Sequence, residues 1–223
     1  MHLLLEPELR FPDPRGADGE GLVAVGGDLS VPRLLLAYRS GIFPWTVNPI
    51  SWWSPDPRAV IELDEFRVPR SLSKLMRRQP FRVTFDRAFR RVMEECARPA
   101  AGRRGTWITP EFIDAYTRLH EQGHAHSLEC WQGEELAGGI YGVSIGGFFA
   151  GESMFHRVSN ASKVALCHLI VILRERGFEL FDIQMITPIT RQLGGTEIPR
   201  EEYLRRLEAA TKKPCTFPAG DKG

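Results

Sequence analysis

Apolar positions along this chain either alternate or recur every three to four residues, in well-separated stretches. Ser30 is a good N-cap, Pro32 suits a first turn, Arg33 to Arg39 follows, and Gly41 is a natural stop, which together predict a helix. Phe81, Val83 and Phe85 alternate with Arg82 and Thr84 and predict a strand. Phe89, Val92, Met93 and Cys96 recur at helical spacing, and Thr109-Pro110 opens another helix that runs to Gly123. Strand patterns follow at His126 to Trp131, Ala137 to Ile145 and Gly147 to Ser153. Asn160 to Arg176 reads as a helix, mostly apolar in its second half and therefore buried, with Gly177 ending it. Phe178 to Gln184 reads as a strand, and Pro199 starts a last helix carrying Tyr203, Leu204 and Leu207. Helices flanking hairpin-like strands predict an α+β fold around a mostly antiparallel sheet.

The first part of the chain departs from this pattern. Phe43-Pro44-Trp45 and Trp52-Trp53-Ser54-Pro55-Asp56-Pro57-Arg58 are crowded with proline and tryptophan and read as a rigid, irregular packed segment. The shift predicts a small N-terminal domain, residues 1–58, ahead of a larger domain, residues 59–223. With 223 residues, 43% of them hydrophobic, a core of that size is available. A net charge of +1 excludes a polycation, so any nucleic-acid contact must come from a local patch. Cys96, Cys130, Cys167 and Cys215 are scattered, as expected of reduced thiols in a cytoplasmic protein. The stretch Met1 to Pro7 lacks a basic region and has too short an apolar run for a signal peptide, and no apolar stretch reaches membrane-spanning length.

A local basic patch is present. From Arg67 to Arg91 there are nine Lys or Arg residues and one acid, Asp86. Arg70, Lys74, Arg77 and Arg78 fall on one side of a predicted helix and Leu72, Leu75 and Met76 on the other, the pattern of a phosphate-contacting stripe. Gly151-Glu152-Ser153-Met154-Phe155 follows Gly138, Gly139, Gly142, Gly146 and Gly147, and so many glycines in strands point to close approach by a ligand or by other backbone. The run lacks the last glycine of a nucleophile elbow, which removes Ser153 as a nucleophile. Asp182 and Gln184 share one face of an apolar strand and need partners or a purpose there. His120, His124, His126 and Cys130 have no recognised ligand spacing, so no metal is expected. No glycine-rich nucleotide loop occurs, and no cofactor is expected.

Several ordered runs resemble the leucyl/phenylalanyl-tRNA–protein transferase family of bacteria. They are Gly26 to Ser30, Ala37-Tyr38, Gly41 to Trp45, Trp52 to Arg58, Gly105 to Ile108, Ala125 to Ser127, Gly151 to Phe155 with Asn160 to Lys163, Asp182-x-Gln184 and Ile198-Pro199-Arg200. The resemblance implies a small N-terminal domain and a catalytic domain similar to the GCN5-related N-acetyltransferase fold. It implies that Leu or Phe, with Met as a further donor, moves from aminoacyl-tRNA to proteins beginning with Arg or Lys and marks them for degradation under the N-end rule. The chain departs from the family at Thr187 to Gly195, where many members carry a His followed by Leu-Gly-Ala; this bears on substrate preference.

By the same resemblance, Asp182 is the general base, assisted by Gln184, with Glu152 orienting the reacting groups. Ile140, Gly151, Ser153, Leu166 and Phe181 form the aminoacyl pocket. Trp45 and Trp107 stack on the terminal adenosine, and Arg70, Lys74, Arg77 and Arg78 meet the tRNA backbone. No ATP is required, since the ester is already activated, and the protein is expected to act as a monomer. Asp182 needs burial or a hydrogen-bond relay to serve as a base, because a free Asp, with a pKa of about 3.9, is weak; a proton relay through the tRNA ribose is an equal alternative. Two other functions stay open. One is an acetyl-CoA-dependent N-acetyltransferase, whose pyrophosphate loop Arg191 to Thr196 approaches. The other is a non-catalytic tRNA-binding module built on the basic face.

Overall fold

The computed structural model describes residues 3–5, 8–99 and 106–218. Gly105 and, at the start of the chain, Met1, His2, Glu6 and Pro7 lie outside the described residues. Two sheets organise the rest. The smaller has four strands in the order β1-β2-β4-β3: β1 (Leu3–Leu5), β2 (Leu22–Gly26), β3 (Phe43–Val47) and β4 (Ile50–Trp53). Helix α1 (Val31–Arg39) connects β2 to β3, starts after Ser30 and stops before Gly41, as its sequence predicts. The Ser30 side chain makes no capping bond.

The proline- and tryptophan-rich segment, expected to be irregular, is instead the antiparallel pair β3 and β4 followed by a strand of the second sheet. Its regularity comes from burial: Trp52 is fully enclosed and donates its indole N–H to the Gly26 carbonyl at 2.8 Å. Aromatic side chains on a pleated, half-buried surface favour strand pairing over a loop.

The larger sheet begins with β5 (Arg58–Ile61) and continues with β6 (Arg82–Phe85), β7 (Ala125–Gln132), β8 (Glu135–Ile145), β9 (Phe148–His156), β10 (Leu180–Gln184) and β11 (Gly195–Ile198). Their order is β11-β5-β10-β9-β8-β7-β6, antiparallel except for β9 and β10. That one parallel pair requires a crossover, supplied by α5 (Ala161–Glu175). The other helices are α2 (Arg70–Met76), α3 (Phe89–Ala97), α4 (Pro110–Glu121), α6 (Pro188–Gln192) and α7 (Arg200–Thr211). Helix α2 is shorter than the basic stripe implies: Arg77 caps it and Arg78 lies beyond, though all four basic side chains are exposed and Leu72 is buried.

Successive residues of the central strands enter different apolar clusters, as pleating requires. Val60, Tyr141, Phe148 and Leu180 join a cluster that also takes in Leu34, Tyr38 and Trp52 from the smaller sheet and its helix, so one core runs across both sheets. Ile61, Ile140, Phe149 and Phe181 join a second cluster built on α5. The glycine-rich strands serve the chain's own packing. A Cβ at Gly142 would stand 2.2 Å from the Ala150 carbonyl, and one at Gly138 would stand 2.6 Å from Ala161. Close approach is therefore by neighbouring backbone and helix, one of the two causes the sequence leaves open.

Candidate active site

Four segments meet at a cavity of about 290 Å³. Strand β3 brings Phe43 and Trp45, and the segment ahead of α4 brings Trp107. Strand β9 brings Glu152 and Ser153; the end of β10 and the turn after it bring Ile183, Gln184 and Met185. The two tryptophans, the Glu and the Gln that sequence reasoning assigns to different tasks thus line one space. Trp45 is braced edge-on against Trp53, and Trp107 edge-on against Phe112, so each indole is held by a second ring and keeps another side for the cavity.

Asp182 does not line this cavity. It is 0% exposed, and both its oxygens are taken. Arg58 donates Nε–H to Oδ1 at 2.9 Å and Nη2–H to Oδ2 at 2.7 Å. The Tyr203 hydroxyl donates to Oδ2 at 2.8 Å, and the Gln184 backbone N–H donates to Oδ1 at 2.9 Å. Arg58 is equally enclosed, sandwiched between the rings of Phe43 and Tyr203 and bonded to the Gly41 carbonyl at 3.1 Å. Burial alone would make Arg58 easier to deprotonate; the Asp182 charge overrides that and keeps it a cation. Gly41 is required at its place: φ is +75°, and a Cβ would stand 2.5 Å from Leu204.

The bond from Asp182 to the Gln184 backbone sits at a bulge, where β10 slips register against β5 and Gln184 takes φ +55°. In that posture its side chain leaves the ladder and donates Nε2–H to Glu152 Oε1 at 2.9 Å. The Tyr38 hydroxyl also acts on Glu152, pulling its pKa down, and Tyr38 is hydrogen-bonded in turn to the Tyr116 hydroxyl.

Glu152 is half-buried, with its open side on the cavity. Burial is the largest influence on it and, with the nearby Asp182 charge, outweighs Tyr38, Arg58 and Gln184, so that its pKa is pushed up to about 8. The arrangement can hold an adenine against aromatic walls and accept a proton at one carboxylate tuned near neutrality. Among the described residues, no group of three or more His, Cys, Asp or Glu side chains could hold a metal ion. His126 of the histidine cluster is bound to Asp86 at 2.7 Å.

Of the five residues expected around the aminoacyl group, Ser153 reaches the cavity. Ile140, Leu166 and Phe181 are buried in the α5 cluster, and Gly151 lies against the Phe181 ring, where an added Cβ would stand 3.0 Å away. Arg58, Tyr203, Tyr38 and Tyr116 were not singled out as site residues. The available signal was Arg58 itself, a charge entering the apolar run Ala59-Val60-Ile61, which demands a buried partner.

Residues 60–208 match the family model described as leucyl/phenylalanyl-tRNA protein transferase, and residues 27–56 match the model of that family's N-terminal domain. Proteins bearing the name leucyl/phenylalanyl-tRNA–protein transferase are close in sequence. The one from Anaeromyxobacter sp. (strain K) is 52% identical over 213 residues, 94% of this chain and 91% of its own length; the one from Pseudoalteromonas atlantica is 50% identical over 214 residues, 94% and 92%. Among solved structures, L-PGS from Bacillus licheniformis aligns with a TM-score of 0.44 at 14% identity, over 72% of this chain and 54% of that one. A GCN5-related N-acetyltransferase from Kribbella flavida aligns at 0.41 and 10%, over 73% and 59%. Among the described residues no helix is long and apolar enough to cross a membrane. The two matches together enclose every residue lining the cavity, and with relatives about 50% identical over most of the chain they show that it belongs to the leucyl/phenylalanyl-tRNA–protein transferase family, a family of aminoacyltransferases.

Proposed function

We propose that the protein transfers Leu or Phe, with Met as a further donor, from aminoacyl-tRNA to the α-amino group of proteins that begin with Arg or Lys, producing a degradation signal in the cytoplasm. In this reading it acts as a monomer. Residues 1–58 form a small domain contributing Trp45, and residues 59–223 form the catalytic domain. The observation that carries the proposal is the single cavity joining Trp45 and Trp107 to Glu152 and Gln184. Stacking on two indoles suits a terminal adenine, at about 1–3 kcal/mol per base.

In the transfer step the amine nitrogen attacks the ester carbonyl, a C–N bond forms, and the C–O bond to the ribose breaks. Glu152 accepts the proton leaving the amine and returns it to the departing ribose oxygen. Its pKa of about 8 matches an α-amino group at about 7.7–8.0, where transfer in both directions is easy. Asp182, whose oxygens are already satisfied, acts by holding Gln184 in the bulge, and Gln184 holds Glu152. In this reading Asp182 is a positioning residue, and the base is the carboxylate that meets the cavity. The aminoacyl side chain leaves the cavity beside Ser153 and passes Gly151 toward Ile140, Leu166 and Phe181. Exposed Arg70, Lys74, Arg77 and Arg78 meet the tRNA backbone.

The acetyl-CoA reading gains no support. Arg191 to Thr196 ends a five-residue helix and runs into β11, so no helix N-terminus follows it to face a pyrophosphate. Incubation with labelled leucyl-tRNA and an Arg-initiated peptide tests the proposal. Label appearing on the peptide N-terminus, without acetyl-CoA, is the expected result; tRNA binding without transfer would leave the binding-module reading.

A further inference from the structure

A second cavity, of about 430 Å³, opens between α2, the start of α5 and the end of α6. Lys74 and Arg78 reach it from α2 and the turn beyond, and Lys163 from the first turn of α5. Ser71, Asn160 and Gln192 add polar groups, and no acidic residue lines it. Among the described residues none of the three cations is ion-paired with a carboxylate, whereas Arg90 and Arg91 of the same basic run are paired with Glu94, Asp114 and Glu135. Three unneutralised cations from two elements, converging on one concavity, repel one another. That arrangement is relieved by an anion with several oxygens. Arg70 and Arg77 belong to the same basic run but do not line the cavity.

The position of this cavity says which anion. Helix α6 starts after Thr187, which lines the active-site cavity, and ends at Gln192, which lines the second one. Five helical residues span roughly 7–8 Å. The two spaces are therefore neighbours at opposite ends of one short helix, and a chain whose terminal base sits in the first passes the second within a nucleotide or two. Building on the proposed function, we propose that the second cavity binds the backbone phosphates immediately 5′ of the terminal adenosine, with Lys74, Arg78 and Lys163 holding the single-stranded 3′ end. The basic run then divides into two tasks: the cavity cations grip the end of the strand, and Arg70 and Arg77 face the stem.

Donors of graded length test this: leucyl-adenosine, which has no phosphate, the leucyl trinucleotide CCA, and full leucyl-tRNA. Lys163→Ala and Lys74→Ala should each raise KM for the trinucleotide and the tRNA about tenfold, the worth of one charge-assisted hydrogen bond, with leucyl-adenosine as internal reference. Each should also flatten the salt dependence of trinucleotide binding by about 0.7 per lost contact, read by fluorescence anisotropy on uncharged CCA. Arg176→Ala, at the other end of α5, is the control for general charge. Trinucleotide affinity indifferent to Lys163, or an equal defect with leucyl-adenosine, overturns the phosphate site. Lys163-dependent trinucleotide binding in a protein that transfers no amino acid would overturn the proposed function while leaving the site standing.

Discussion

Asp182 and Glu152 stand on neighbouring strands and on one side of the sheet, because Asp182 pairs with Ala150, two residues before Glu152. Their surroundings are opposite. Asp182 is sealed under Arg58 and Tyr203 with every strong acceptor site used; Glu152 keeps one side on the cavity, and its partners there are neutral. A carboxylate whose acceptor sites are filled by a buried guanidinium, a hydroxyl and a backbone N–H has nothing left to offer a substrate. A carboxylate held by an amide and a hydroxyl in a poorly solvated place is raised toward neutrality and can exchange a proton. The difference separates a residue that builds the site from one that operates it.

The comparison breaks most sharply at Asp182. Asp182→Asn leaves Arg58 buried without a counter-charge, which costs about 3–5 kcal/mol, so denaturant unfolding should show a large loss of stability. Unchanged stability would mean the pair does not lock β5 to β10. Glu152→Gln should fold as well as the wild type and retain donor binding, yet turn over about 10²–10⁴-fold more slowly at saturation. If instead the Asp182 variant folds normally and alone loses turnover, the two roles are reversed.

A smaller effect lies in the pH profile. Glu152 accepts a proton only when ionised, so transfer at saturating substrates should rise with a midpoint near pH 8 before levelling off, and the Glu152-dependent part of that rise should vanish in Glu152→Gln. Stability runs the other way. The folded-state pKa of Glu152 is raised from 4.5 to about 8, so its contribution is intact below 4.5 and is lost as pH rises toward 8. The wild type should therefore lose stability relative to Glu152→Gln across that window in thermal melts at stepped pH. The smallest effect is expected of Tyr38→Phe: it removes a bond that lowers the Glu152 pKa, and should move the rate midpoint to higher pH while leaving the plateau much less affected. A midpoint that stays put would remove Tyr38 from the relay.

Strands β6 to β10 and helices α3, α4, α5 and α7 were legible because each carries its own periodicity, and α5 and β10 fall within a few residues of where the pattern puts them, whereas the short β5, α6 and β11 were not read. Trp45, Trp107, Glu152 and Gln184 were named through family resemblance, and they line one cavity. What could not be read is what depends on distant partners. Arg58 meets Asp182 across 124 positions and Tyr203 meets Arg58 across 145, so no local window contains either pair. Tyr203 looks like any core tyrosine on a helix, and Asp182 like a free carboxylate, until Arg58 is put between them. The β3–β4 pair was missed for a different reason: proline and tryptophan obscure an alternation that burial then enforces.

The strand order has a consequence for how the molecule is made. Strand β5, among the early parts of the chain to be synthesised, lies between β10 and β11, which are among the last. At roughly 5–20 residues per second, Arg58 leaves the ribosome roughly 6–25 seconds before Asp182, 124 positions later. Through that interval its guanidinium has no counter-charge and must stay in water, so β5 cannot enter the sheet early. The newborn chain therefore carries a sheet that stops at β9, and its active site comes into being only when β10, β11 and α7 arrive and β5 joins them over the waiting arginine.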